Sequence, residues 1–161
     1  MAADEVHKAL LDYLRWHKQG NVIVSNIFVS GYPWEADVVA VTPIGYWSEY
    51  EIKTSVGDYS RDFHKEDYGV NKHSVLAADG HAESLWGKPI PRPKHFWFVV
   101  PKGLLGNVSV PKHCGIMECD DTSYPKITIA RAAPRLRRPT KLSYNQLFKL
   151  AAKMSGRILW E

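Results

Sequence analysis

The sequence predicts a single domain of α/β class, in which helices flank a mixed sheet. Three observations carry this prediction. Residues 4–18 place apolar side chains at helical spacing. Three segments rich in β-branched and aromatic residues follow, parted only by short turns. A further helical stretch then leads to "HFWFVV", an apolar run suited to a buried strand. With 161 residues, 45% of them hydrophobic and 24% charged, the chain has the length of one ordinary domain and the material for a core.

In the first helix Val6, Ala9, Leu10, Tyr13, Leu14 and His17 form the apolar stripe, and Gly20 stops it. "NVIVSNIFVS" is the first strand, and "GYP" breaks it. "EADVVAVT" is the second, "PIG" is a turn and "YWSEYEIKTS" is the third, so an antiparallel meander is expected. Ser55 with Asp58 three residues later is a capping-box pattern, and it predicts a helix that starts at once and fades near "DYGVN". Lys72 to Ala78 reads as a second helical piece, and "DGHAESLWGKPIPRPK", with three prolines and two glycines, as a loop. After the apolar strand, "PKGLLGNVSVPKH" is a connector, and "CGIMEC" and "KITIARA" are two more strands. Ser143 and Gln146 form another capping box and open a last helix, striped by Leu147, Leu150, Ala151 and Met154 and stopped by Gly156. The expected order is α-β-β-β-α-β-β-β-α.

No apolar run approaches the ~20 residues that span a bilayer, and the first residues carry acids and no apolar stretch of the secretory kind. A protein with no membrane partner and an intracellular location is expected. Cys114 and Cys119 are too few for a disulfide framework, and their spacing, with His113 beside them, differs from the common zinc knuckles. The net charge of +4 fits a polyanionic partner, and "RAAPRLRRPTK" sets Arg131, Arg135, Arg137, Arg138 and Lys141 in eleven residues without an acid.

Chemistry concentrates on the second and third strands. Asp37 stands beside a Val-Val-Ala-Val run that is apolar on consecutive positions, as in a strand covered on both faces. A carboxylate there is costly unless it is paired or binds a cation. Glu49, Glu51 and Lys53 alternate, so a strand points all three to one side. Taken alone, each feature has a plainer reading: a strand-end aspartate in a turn, and a wet strand face alternating Glu and Lys. Taken together, adjacent antiparallel strands bring Asp37, Glu51 and Lys53 to one place. Two carboxylates with a backbone carbonyl make a hard-oxygen site for Mg²⁺ or Mn²⁺. A neighbouring lysine holds a water or offsets charge on a phosphate, and the helix start near Ser55 favours an anion.

The residues "ADVVAV…EYEIK", with the order α-β-β-β-α-β, resemble the D-(x)n-E-x-K core of the PD-(D/E)xK nuclease superfamily, whose fold is restriction-endonuclease-like. The run "EIKTSVGDYSRDF", with "FWFVVPKGLL" and "VPKHCGIMEC", is similar to its MmcB-type DNA-repair branch and related phage or bacterial nucleases. The likeness covers roughly Glu5 to Ala130. It implies a restriction-endonuclease-like αβββαβ core over about 4–130, extended by extra C-terminal strands, the basic segment and a final helix over 131–161. It further implies a metal-dependent DNA endonuclease that uses Mg²⁺ or Mn²⁺ in repair, recombination or mobile-element DNA processing. Asp37 and Glu51 would be metal ligands, the Ile52 carbonyl a third, Glu5 on the first helix a fourth, and Lys53 the catalytic lysine. Ala36 stands where the pattern has proline, which supplies backbone shape and no ligand.

Arg61, Lys65, Lys72 with His73, Lys88, Arg92, Arg135, Arg137 and Arg138 are the candidate DNA contacts. Glu35 and Glu49 read as structural salt-bridge partners, and Asp58, Arg61 and Asp62 more simply as a solvated helix face. DNA is the expected partner, and a homodimer is compatible with it. The rival readings are a non-catalytic nucleic-acid-binding domain of the same fold and an unrelated interaction module with a wet Glu/Lys face.

Overall fold

The computed structural model describes residues 1–29, 31–78 and 84–160. Helix α1 (Ala3–His17) leads into strands β1 (Val22–Ile27), β2 (Ala36–Val41) and β3 (Trp47–Ile52). Helix α2 (Val56–Asp62), a hairpin of β4 (Glu66–Asp67) and β5 (Val70–Asn71), and helix α3 (Lys72–Ala77) come next. A second small hairpin, β6 (Ser84–Leu85) and β7 (Lys88–Pro89), precedes strands β8 (His95–Pro101), β9 (Cys114–Cys119) and β10 (Ile127–Arg131), and helix α4 (Tyr144–Trp160) ends the fold.

The six longer strands form one mixed sheet in the order β1-β2-β3-β8-β9-β10. The first three are the expected antiparallel meander. Its second turn closes at Gly45, whose φ of +96° suits glycine. Strand β8 then runs parallel to β3, so the chain must cross over, and α2 and α3 lie in that crossover. Strand β9 is parallel to β8, and β10 returns antiparallel.

Side-chain parity decides what each face of the sheet buries. Val6, Ala9, Leu10 and Leu14 of α1 pack with Val38, Ala40, Tyr50, Val99 and Met117. Because Tyr50 points to that face, Glu49 and Glu51 point to the other. There Val39, Val41 and Trp47 pack with Trp34, Val75, Leu142 and Leu150. Phe96, Phe98 and Val100 pack with Tyr59 and Leu76 on the same side. The two glutamates thus sit under the crossover helices, between two apolar clusters.

Several local expectations change. Gly156 does not stop the last helix, which continues to Trp160; an interior glycine costs only about 1 kcal/mol, too little to end a helix by itself. Helix α2 ends at Asp62, and "DYGVN" is the hairpin β4–β5, turning through Tyr68 and Gly69 at φ +53° and +74°. Part of the 79–94 loop is the hairpin β6–β7, and residues 79–83 lie outside the described residues.

Candidate active site

Val38 faces Tyr50 across the β2–β3 ladder, so one step further Asp37 stands opposite Glu51. Asp37 Oδ2 accepts a hydrogen bond of 2.8 Å from the Ile52 N–H, which ties the end of β2 to the end of β3. Asp37 and Ile52 open into a cavity of about 230 Å³, shared with Asp4, His7 and Asn26. Glu51 opens into a separate cavity of about 170 Å³, lined by Trp34, Glu35, Asp62, Lys65, Asp67 and Lys72.

Lys53, buried at the end of β3, donates to Glu51 Oε1 at 3.1 Å and pairs with Asp62 Oδ1 at 3.1 Å and Asp58 Oδ2 at 3.9 Å. Helix α2 brings the two aspartates there. Ser55 caps it, its Oγ accepting from the Asp58 N–H at 3.1 Å, and Asp58 and Asp62 then fall one turn apart. A second ammonium, that of Lys72, lies 3.5 Å from Glu51 Oε2, 3.4 Å from Asp62 Oδ2 and 3.8 Å from Glu49 Oε1. Its charge also lies 5.3 Å from the centre of the Phe96 ring. Glu49 is fully buried and accepts from the Tyr32 hydroxyl and from Trp34 Nε1.

Burial dominates the electrostatics of this cluster. It pushes the Asp37 and Glu51 carboxyls up from their ordinary values, and the Glu49 carboxyl up to about 7. Burial also works against ionised Asp62, but the His73 hydrogen bond and the charges of Lys72 and Lys53 together hold its carboxyl well below the usual range. Both lysines are driven down by burial and raised above their usual value by the surrounding carboxylates. With all groups ionised, the four acids Asp37, Glu49, Glu51 and Asp62 and the two lysines sum to two negative charges.

That donor set suits a divalent cation. Glu51 Oε2 is buried and has no hydrogen-bond partner, although Lys72 is near. A buried carboxylate oxygen left without a donor is costly and is stabilised by a cation. Asp37, Glu51 and the Ile52 carbonyl offer hard oxygen atoms of the kind that Mg²⁺ and Mn²⁺ take.

The structure separates the other sequence candidates. Glu5 is exposed, accepts from the Ala2 N–H at 2.8 Å and lines a different cavity with Lys8 and Asp12, so it does not join Asp37. The phase of α1 turns Asp4 and His7 toward Asp37 instead. Lys72 and His73 are buried and belong to the carboxylate network, not to a phosphate-facing surface. Arg92 is also buried; its Nη1 donates to the Arg137 carbonyl at 2.6 Å and its N–H to Thr140 Oγ1, so it anchors the basic segment and does not present a cation to solvent. Arg131 likewise donates to the carbonyls of Val110, Pro111 and Cys114. Arg61, Lys65, Lys88, Arg135, Arg137 and Arg138 are exposed. Asp62, expected on a solvated face, is almost wholly buried. Its spacing of four from Asp58, directly after Lys53, was the available signal for its role. Lys72 and His73 gave no comparable signal, because the β4–β5 hairpin folds them back.

No protein-family model matches the chain, and no curated protein matches it significantly. Among solved structures it is similar to a protein of unknown function from Silicibacter pomeroyi, with a TM-score of 0.61 and 18% identity over 99% of this chain and 89% of that one. At that identity the likeness concerns the fold, a compact mixed α/β arrangement.

Proposed function

We propose that this chain is a divalent-metal-dependent nuclease that hydrolyses DNA phosphodiesters, with a site of the PD-(D/E)xK kind. The observation that carries the reading is that the β2–β3 register sets Asp37 and Glu51 at facing strand ends, Asp37 accepting from the Ile52 N–H, with Lys53 bonded to Glu51 and Glu51 Oε2 left without a donor. Asp37, Glu51 and the Ile52 carbonyl would hold the cation. When bound, the cation supplies a lowered pKa for an attacking water and neutralises charge on the phosphate. Lys53 remains an ammonium, so it donates to the nucleophilic water or to a phosphate oxygen as negative charge grows. Asp62 and Glu51 fix the position of Lys53 and limit its rotamers. The exposed cations Lys65, Arg135, Arg137 and Arg138 supply phosphate contacts that position the backbone without reading sequence. A monomer of this kind nicks one strand, and a two-fold dimer cuts both.

One observation favours a second reading, a non-catalytic nucleic-acid-binding domain of the same fold. Lys72 already places an internal positive charge against Glu51. The two readings separate when plasmid, single-stranded and branched DNA are incubated with Mg²⁺, Mn²⁺ or EDTA. Cleavage that EDTA abolishes and that leaves 5′-phosphate and 3′-hydroxyl ends supports the nuclease. Salt-sensitive binding without cleavage by any preparation supports the binding domain.

A further inference from the structure

A second constellation lies on the far side of Asp62. His73 lies in the first turn of α3, His113 ends the connector after β8, and Cys114 opens β9. Their ligand atoms all lie within 4.8 Å of one another, although His73 is 40 residues from His113. His73 Nδ1 is 2.8 Å from His113 Nε2, and His73 Nε2 is 2.7 Å from Asp62 Oδ2. The His73 ring is held by Phe63, at 4.2 Å between centroids, and by Phe96 and Phe98. Cys114 is buried and free of any disulfide, while His113 is half-buried and gives the cluster a way out to solvent.

We propose that His73, His113 and Cys114 form a zinc site, with Asp62 as the carboxylate that orients His73. Nitrogen and sulfur ligands select zinc over the hard cation proposed for Asp37 and Glu51. The Asp62–His73 pair has the carboxylate–histidine form that fixes which ring nitrogen faces a metal. With Nε2–H donating to Asp62, Nδ1 presents its lone pair to the cluster. Tetrahedral zinc with Zn–N near ~2.1 Å sets its nitrogens roughly 3.4 Å apart, so His113 retreats by about 0.6 Å from its present 2.8 Å contact. Zinc replaces the thiol proton of Cys114, which leaves to solvent, and the proton on His113 Nε2 moves to Nδ1. The Arg131 guanidinium, bonded to the Cys114 carbonyl, lies close enough to favour the thiolate. Water at the His113 side completes four-coordination. Burial pushes His113 down to about 4 and lowers His73, which favours the neutral imidazole that binds zinc; it also pushes the Cys114 thiol up to about 12, a cost that zinc itself must offset.

This site stands independently of the nuclease reading. The test is metal content and cobalt spectroscopy of the full chain, stripped with a chelator and reloaded with zinc or cobalt alone. Wild type is expected to retain about one zinc per chain through gel filtration, and the cobalt form to show a thiolate-to-cobalt charge-transfer band in the near ultraviolet. Cys114→Ser should lose that band, and His113→Ala should bind zinc at least ~10-fold more weakly. Cys119→Ser and Asp37→Ala should keep both metal and band, which separates this site from the one at Glu51. His113 is half-exposed, so His113→Ala, checked by circular dichroism, keeps the test decisive if Cys114→Ser fails to fold. Zinc retained by wild type no better than by His113→Ala, or a charge-transfer band that follows Cys119, overturns the proposal and leaves only the hydrogen-bonded chain Asp62–His73–His113.

Discussion

Lys72 is the residue on which the buried carboxylates most depend. It is nearly inaccessible and lies within 4 Å of oxygens from Glu49, Glu51 and Asp62. Lys72→Ala removes the countercharge while the acids stay buried, so a loss of about 3–5 kcal/mol is expected in urea unfolding. Lys72→Met keeps the packing against Phe96 and should lose less. Glu49 gives a pH signature. Its folded value of about 7 lies above the ordinary 4.5, so the folded state holds the proton more tightly than the unfolded chain. The resulting stability is complete below 4.5 and is lost as pH rises through about 7. Wild type should therefore lose up to about 3 kcal/mol relative to Glu49→Gln over that rise, read as diverging Tm curves. Parallel curves from about pH 5 to about pH 8 would show that Glu49 ionises as easily folded as unfolded. The sequence marked Asp37, Glu51 and Lys53 because strand alternation and the shared turn fix their neighbourhood. It marked Lys72 and His73 only as surface phosphate contacts, because their burial depends on how a two-strand hairpin returns the chain across the sheet.

At the scale of elements, α2 connects stability to the site. Its cap at Ser55 starts a helix of seven residues, and the far end of that helix carries Asp62 to Lys53. Ser55→Ala should cost about 1 kcal/mol in stability and lower kcat more than it raises KM, since Lys53 loses positional restraint while the substrate-binding surface is unaltered. An unchanged kcat beside the same stability loss would detach Asp62 from the positioning of Lys53. The helix caps were legible in sequence because short-range hydrogen bonds set them: Ser55 accepts from the Asp58 N–H at 3.1 Å, and Ser143 and Gln146 bond reciprocally at 2.7 Å and 3.2 Å. The end of the last helix was not legible, because a single glycine is a weak stop. On α1 the acid beside the Asp37 cavity is Asp4 and not Glu5, since one residue turns the side chain by about 100° around the helix.

At the scale of the molecule, the mixed six-stranded sheet flanked by helices follows from the order of hydrophobic periods. Strand pairing was less legible beyond β3, because a parallel partner depends on the crossover and not on a local turn. No helix among the described residues is long and apolar enough to cross a membrane. The exposed cations of the segment after β10 give a whole-molecule prediction. Replacing Arg135, Arg137 and Arg138 together by Gln should flatten the salt dependence of DNA binding, the slope falling by about 0.9 for each phosphate that is no longer neutralised. A slope unchanged from wild type would place the DNA elsewhere on the surface.

In the proposed nuclease, Asp37, Glu51 and Lys53 act together on a phosphodiester with a divalent cation. Single-turnover cleavage of a labelled duplex tests it most directly, with wild type, Asp37→Ala and Lys53→Ala compared in Mg²⁺ and in EDTA. Wild type in Mg²⁺ should cut, EDTA should stop it, and each variant should cut on the order of 10²–10³-fold more slowly while remaining folded. Cleavage that persists in EDTA, or that proceeds at the wild-type rate in both variants, would contradict the account.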